Sequence, residues 1–299
     1  MEHERFQPGF EGEIWYEHWH RYHFALPLAA GRRVLDIACG EGYGSSLLAT
    51  RAASVLGVDV SADTLAQARR RYGETANLEY REGRCEAIPC DDASVDLLVS
   101  FETLEHIAEP ERLLDEARRV LAPGGLALIS TPNREVYSDR SGYRNPYHVR
   151  EFYRDEFAAM LQARFDGVAV FGQRVDAYSA IWPLEARVSD AQVLQASAAD
   201  AANAGAGVAD AMYFLAACGD REAVAAAAGH LSILSDRGHE VSNRHGASLR
   251  QVEEMRAELE RMESAYLAVQ KQLASLSQEH RRALEQLAQL KPAAGRWGR

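Results

Sequence analysis

The sequence predicts an α/β protein, a doubly wound, mainly parallel sheet followed by a C-terminal α-helical coiled coil. Three observations predict it. From residue 31 to about 225, short β-branched runs alternate with amphipathic stretches, as in a sheet whose strands are joined by crossover helices. The turn Cys39-Gly-Glu-Gly-Tyr-Gly44 sits between the first strand and the first helix of that series, where such sheets bind ligands. Residues 249–290 lack Pro and Gly and place apolar residues at steps of 3 and 4, the spacing of a coiled-coil seam.

Each element has its own signal. Residues 1–30 carry Trp15, Tyr16, His18, Trp19, His20, Tyr22, His23 and Phe24 and read as an aromatic lid, with Trp15, Trp19 and Tyr22 covering a ligand. The spacings of His18, His20 and His23 are not the i, i+4 of a helical metal pair, and no metal site is expected anywhere. Arg33–Ala38 is an apolar run and a buried strand. A helix follows from Gly44 to about Arg51, then a strand over Ser54–Asp59. Ser61 caps a helix over Ala62–Arg71. Asn77–Arg81 is a weaker strand and Val95–Phe101 a strong one. Pro110 opens a helix to Leu121, which Ala122-Pro-Gly-Gly125 ends. A strand over Leu126–Ser130, a helix over Arg154–Ala163, and strands over Val168–Phe171 and Met212–Ala217 complete the domain. Residues 180–211 are read as an insertion, since 196–211 contain nine Ala and offer no chemistry. It is taken as a loop or small helix. The remainder divides into a linker over 226–248, the coil over 249–290 and a tail over 291–299.

Composition excludes several functions. The chain has 299 residues, enough for one or two domains. Its 44 acids outnumber its 33 bases, a net charge of −11. A chain so acidic is a poor general binder of nucleic acid, whose phosphates need Lys and Arg. The four Cys, at 39, 85, 90 and 218, form no CxxC pair, which argues against a disulfide framework or zinc ribbon. No basic segment leads into an apolar run at the N-terminus, and no apolar run reaches 18 residues. A cytoplasmic protein without a membrane span is expected.

The turn chemistry is more specific. Asp36 closes the first strand, Glu41 lies inside the turn, and Asp59 ends the second strand. Acids so placed repel a pyrophosphate. Ser45 also stands where the dinucleotide fingerprint has a third Gly. A cationic ligand without phosphate suits the turn better. S-adenosylmethionine, with its sulfonium and ammonium, is such a ligand, and Asp59 would accept hydrogen bonds from its ribose hydroxyls.

The stretch Val34–Ser130 resembles the class I S-adenosylmethionine-dependent methyltransferases. VLDIACGEG matches that family's first motif, with Ala38 where Gly is usual. VLGVD, ending at Asp59, matches the second-strand acid. CEAIP, ahead of VDLLVSFETLEHI, matches the adenine-side loop and fourth strand, and LAPGGLALIS matches the motif around strand five. The resemblance implies a Rossmann-like methyltransferase sheet. It also implies a cofactor site made of Asp36, Ala38, Gly40, Gly42, Asp59, Val60, Cys85, Glu86 and Phe101. Arg84 stands where the family often has Asp, so the Cys85 backbone N–H and Glu86 take over the adenine contact. The flanks RFQPGFEGEIWYEHWHRYHFA and GYRNPYHVREFYRDEF resemble methyltransferases of bacterial O-antigen and surface-glycan clusters, which implies a sugar hydroxyl as acceptor.

A hydroxyl acceptor calls for a general base, and histidine titrates in the right range. His106 follows the fourth strand and His148 follows the fifth. Glu105 and Glu102 are placed to orient a histidine or to bind sugar hydroxyls. Two other readings remain, a methyltransferase for a small lipid or quinone-like acceptor and a coiled-coil scaffold carrying a degenerate domain. Intact Asp36, Gly40, Gly42 and Asp59 favour the enzyme. In the coil, twelve seam positions run from Val252 to Leu290, and His280 alone is not apolar. That pattern predicts a homo-oligomer.

Overall fold

A computed structural model of the chain describes residues 13–176, 194–195, 205–206, 210–228, 232–234 and 240–290. The chain divides into two units, Met1–Arg237 and Gly238–Arg299.

The first unit begins with α1 (Glu13–Ala25). It continues through β1 (Arg33–Ile37), α2 (Tyr43–Ala49), β2 (Ser54–Asp59), α3 (Ala62–Tyr72), β3 (Leu78–Glu82) and β4 (Val95–Ser100). A 3-10 turn over Leu104–His106 leads to α4 (Pro110–Val120) and β5 (Leu121–Pro132). A π-turn over Glu135–Arg140 precedes α5 (Arg154–Gln162) and β6 (Gly167–Gln173). Then come β7 (Leu194–Gln195), β8 (Gly205–Ala206), β9 (Tyr213–Gly219) and α6 (Arg221–Ala227). Local chemistry sets these boundaries. The Ser61 hydroxyl accepts the Thr64 N–H at 3.3 Å, Asp63 sits in the first turn of α3, and Arg69, Arg70 and Arg71 sit in its last. Those charges complement the helix dipole.

Seven strands form one sheet in the order β3-β2-β1-β4-β5-β9-β6. β9 pairs antiparallel with both β5 and β6, while the pairs among β1 to β5 are parallel. The mainly parallel, doubly wound reading therefore holds, with β9 inserted between the fifth and sixth strands. Alternation along the strands feeds two cores. Val34, Leu97, Val99 and Leu128 point to the face covered by α1, α2, α3 and α6. Leu35, Leu98, Ala127 and Ile129 point to the face covered by α4 and α5. The order reverses between β1 and β4, which puts the segments after those two strands side by side at the ligand-binding edge of such sheets.

Several expectations change. The aromatic segment is a packed wall: Tyr16, Glu17, Arg21, Tyr22 and Ala25 of α1 are buried, because its aromatic and charged faces both find partners on the sheet. Residues 1–12 lie outside the described residues. So does most of the 180–211 insertion, whose described part includes an antiparallel pairing of Leu194–Gln195 with Gly205–Ala206, where a loop or small helix was expected. α6 starts ahead of the expected linker, and the last helix starts inside it.

The second unit is α7 (Glu240–Leu290), one helix of 51 residues and about 76 Å long at 1.5 Å per residue. Its seam residues from Val252 to Leu287 are solvent-exposed within the single chain, with 51% for Val252 and 67% for Leu276. Among the described residues, no helix is long and apolar enough to cross a membrane.

Candidate active site

The glycine turn lies between β1 and α2. Gly42 has φ +80° and caps α2. A side chain there would run into Tyr80, whose hydroxyl donates to the Gly42 carbonyl at 2.9 Å. A side chain on Gly44 would strike the Tyr22 ring. Gly40 differs, because a Cβ there meets nothing within 4 Å. The turn is thus packed beneath and open above. Ala38, at φ +60°, and Glu102, at φ +50°, both adopt the left-handed region just past β1 and β4. Non-glycine residues pay for that conformation, and it clusters at functional sites.

The acids of the turn are held by the protein. Asp36 is 1% exposed. It accepts from the Ser45 hydroxyl at 2.6 Å and from the Tyr22 hydroxyl at 3.2 Å. Burial pushes its carboxyl up to about 7, against the pull of those two hydrogen bonds. Asp36 therefore braces the turn from below, where the sequence reading placed it against the ligand. Asp59 accepts the Gly40 N–H at 3.0 Å and the Ser61 N–H at 2.9 Å, which fixes its carboxylate at the end of β2. Glu41 is ion-paired with Arg71. Beside Asp59, the Val60 side chain is 55% exposed and forms an apolar shelf. The Cys85 thiol donates to Glu86 Oε2 at 3.4 Å, and burial pushes that thiol up to about 12. Phe101 is buried edge-on against Tyr22, 5.1 Å between centroids.

These residues fit S-adenosylmethionine. The Gly40 face has space for a ligand, Asp59 carries a fixed carboxylate, and Val60 offers an apolar surface for a purine. Among the described residues, the cation paired with the turn, Arg71, is taken by Glu41.

The segment after β4 forms the other side. Glu105 is fully buried. Its Oε2 accepts from the Thr131 hydroxyl at 3.1 Å, and its Oε1 has no hydrogen-bond partner. Burial, reinforced by the Glu102 carboxylate, pushes the Glu105 carboxyl well above the ordinary range. The Glu105 carbonyl receives the N–H groups of Val149 and Arg150 at 2.7 and 3.2 Å, which ties the loop after β5 to the loop after β4. That tie brings His148 to His106, with ring centroids 5.0 Å apart and edge-to-face. His106 Nδ1 lies 3.2 Å from the Tyr147 carbonyl and His148 Nδ1 lies 2.6 Å from Glu151 Oε1. Both acceptors lack a proton, so both rings carry theirs on Nδ1. Asn145 donates to His148 Nε2 at 2.9 Å, and His106 Nε2 sits 3.8 Å from Glu105 Oε1.

No metal site was expected from the sequence, yet Glu105, His106 and His148 offer three ligand atoms within 4.8 Å of one another. The N-terminal histidines go elsewhere: His18 bonds the Tyr43 hydroxyl at 3.0 Å and His20 the Ser232 hydroxyl at 2.9 Å.

Arg21 was not anticipated. It is 1% exposed, lies over the Tyr213 ring at 4.7 Å and donates to Gln173 Oε1 at 2.8 Å. Its outer nitrogen is 3.7 Å from Glu102, and Glu102 also accepts from the Ser130 hydroxyl at 2.6 Å. The pairing of Glu17 with Arg21 at i, i+4 was the one trace of this in the sequence.

Comparison with known proteins agrees with this geometry. Residues 35–129 match the family model described as a methyltransferase domain. A Mycolicibacterium smegmatis protein described as a probable S-adenosylmethionine-dependent methyltransferase is 39% identical over 165 residues, covering 53% of this chain and 62% of that protein. A Mycobacterium tuberculosis protein of the same description is 38% identical over 162 residues, 52% of this chain and 58% of that protein. The chain thus spans about six-tenths of the length of these curated relatives. A ubiquinone biosynthesis O-methyltransferase of Psychrobacter arcticus is 36% identical over 114 residues, 36% of this chain and 44% of that enzyme. In fold, a solved Pyrococcus horikoshii protein superposes with a TM-score of 0.51 at 19% identity, covering 74% of this chain and 99% of that one. Over residues 35–129, strand order, glycine turn and the match to the methyltransferase-domain model coincide.

Proposed function

We propose that the protein is an S-adenosylmethionine-dependent O-methyltransferase acting on a sugar or glycan hydroxyl. The observation that carries this reading is the pairing, across the β1/β4 switch point, of an open glycine turn backed by Asp59 with the Glu105–His106–His148 cluster. Gly40, Gly42, Asp59 and Val60 would hold the cofactor, with the Cys85–Glu86 loop on the adenine side. When bound, S-adenosylmethionine supplies an electrophilic methyl group on a sulfonium whose departure leaves a neutral thioether. The residues of the chain place the acceptor oxygen in line with that methyl group and keep water out. As the new O–C bond forms and the S–C bond breaks, the hydroxyl proton passes to the histidine cluster. Tyr143, Tyr147 and Tyr153 lie exposed around the loop that carries His148 and offer rings for a sugar face.

A second reading, a phenolic or quinone-like acceptor, draws on the ubiquinone O-methyltransferase relatives. Labelled methyl transfer to sugar and phenol panels separates the two. For the cofactor, calorimetry should show binding of S-adenosylmethionine and of its demethylated product. Asp59→Ala should weaken that binding by about 1.5–3 kcal/mol, and Asp59→Asn, which keeps an acceptor for the turn, by less. No binding by the wild type would remove the cofactor assignment.

The exposed seam of α7 supports a homo-oligomeric coiled coil. Burying each Leu contributes roughly 1.5–3 kcal/mol, so a seam of this length outweighs the ordering cost. Sedimentation at micromolar concentration should give an oligomer, and a Leu259→Glu, Leu273→Glu double variant a monomer. A monomeric wild type would refute the coil.

A further inference from the structure

We infer that Glu105, His106 and His148 bind a divalent transition-metal cation that holds the acceptor oxygen. This inference rests on the hydroxyl-acceptor reading above and specifies how that side of the site works.

Four observations converge. First, the ligand atoms of the three residues lie within 4.8 Å of one another. With metal bonds of about 2.0–2.2 Å, tetrahedral ligands sit about 3.4 Å apart, so the widest pair has to close by about an ångström. His106 already lies 3.8 Å from Glu105 Oε1. Its side chain is about one-third exposed and has room to adjust. Second, Glu105 Oε1 is a buried carboxylate oxygen with no hydrogen-bond partner, on a side chain only 1% exposed. A carboxylate left short of donors in the interior is costly, and a cation satisfies it.

Third, both imidazoles are anchored as metal-ligating histidines are. Each donates its Nδ1 proton to an outer oxygen, His106 to the Tyr147 carbonyl and His148 to Glu151. That sets Nε2 as the lone-pair nitrogen and raises its basicity, the carboxylate–histidine–metal arrangement. At His148 the Nε2 lone pair receives the Asn145 amide, a part-buried contact that a cation would replace. Fourth, the donor set is two imidazoles and one carboxylate. It suits Zn²⁺, Mn²⁺, Fe²⁺ or Co²⁺ better than Mg²⁺ or Ca²⁺, which prefer all-oxygen shells. Three protein ligands leave coordination positions open, as catalytic rather than structural sites do. A hydroxyl bound at one of them loses its proton more readily; with both Nε2 lone pairs on the cation, that proton passes to bulk water rather than to the histidines, and the bound oxygen is the nucleophile that methyl transfer requires.

The test uses the full chain, stripped with a chelator and titrated with Co²⁺, reading visible absorption and stoichiometry. The expected result is one Co²⁺ per chain with d–d bands of a low-coordinate site. His106→Ala and Glu105→Gln should each weaken binding at least tenfold, and Glu151→Ala, which removes only the outer anchor of His148, by about 10–100-fold. Circular dichroism confirms that each variant is folded, and His106→Ala alters a partly exposed side chain if the buried Glu105→Gln is not tolerated. Absence of Co²⁺ binding by the wild type, or binding unchanged in His106→Ala and Glu105→Gln, overturns the inference. Calorimetry with the demethylated cofactor runs in parallel on the same samples. Cofactor binding without Co²⁺ binding refutes the metal and leaves the methyltransferase reading standing. Co²⁺ binding without cofactor binding does the reverse.

Discussion

The carboxylates on the two sides of the switch point lie at the same depth, yet the protein treats them differently. Asp36 is 1% exposed and Asp59 is 5% exposed, and each oxygen of Asp59 and both oxygens of Asp36 lie within reach of donors from the chain itself. Glu105 is equally buried, but Thr131 serves only one of its oxygens. A buried acid closed by its own chain is part of the frame. A buried acid left one partner short marks where something from outside completes the structure. On that contrast the turn side is preorganised for a ligand that lies over it, and the histidine side for one that enters the shell.

Two experiments probe the contrast. The larger effect is the pH dependence of stability. Asp36 is held near 7 in the folded protein, against 3.8 for an unburied Asp, so the folded state holds this proton more tightly than the unfolded state. Its contribution is fully present below about pH 4 and is lost as pH rises through 7. Asp36→Asn keeps an acceptor for Ser45 and Tyr22 and cannot ionise. Denaturant titrations at pH 4 and pH 8 should show wild type losing up to about 4 kcal/mol relative to this variant. An unchanged difference would mean that Ser45 and Tyr22 fully offset the burial, a sharper form of the same contrast. The smaller effect is steric. Gly44→Ala drives a methyl group into the Tyr22 ring and takes the Tyr22 hydroxyl off Asp36, at a cost of about 2–3 kcal/mol. In a Tyr22→Ala background, Gly44→Ala should cost less than in wild type by the denaturation midpoint, because the space is already open. An equal cost in both backgrounds would place it in the backbone of the turn.

The sequence displays the frame clearly because its signals are local. Ser54–Asp59 comes out with the predicted bounds, β1 one residue short and β4 ending at Ser100, since an apolar run bounded by polar residues has few other uses. Pro110 and Ser61 mark helix starts through backbone chemistry of their own. β5 begins at Leu121, five residues early, because Pro123-Gly124-Gly125 reads as a break although Leu121 still pairs with Val95. The site is legible in its members and opaque in their arrangement. His106 and His148 each announce themselves after a strand, but their meeting depends on the Val149 and Arg150 N–H groups reaching the Glu105 carbonyl. Nothing in either segment alone encodes that. Arg21 is hidden for the same reason: Glu102, Gln173 and Tyr213, the groups that make its burial tolerable, are 81 or more residues away.

The first helix also has a consequence for how the domain comes apart. Through Tyr22 it grips the end of β1, and through Arg21 and Glu17 it grips Gln173 of β6 and Tyr213 of β9. In the order β3-β2-β1-β4-β5-β9-β6 those strands stand on opposite sides of β4 and β5. A terminal helix of 13 residues would ordinarily fray at almost no free-energy cost. This one cannot detach without stripping a buried guanidinium of its partners and opening both halves of the sheet. Its opening therefore belongs to the same cooperative event as global unfolding, and α1 serves as a keystone joining two half-sheets into one foldon.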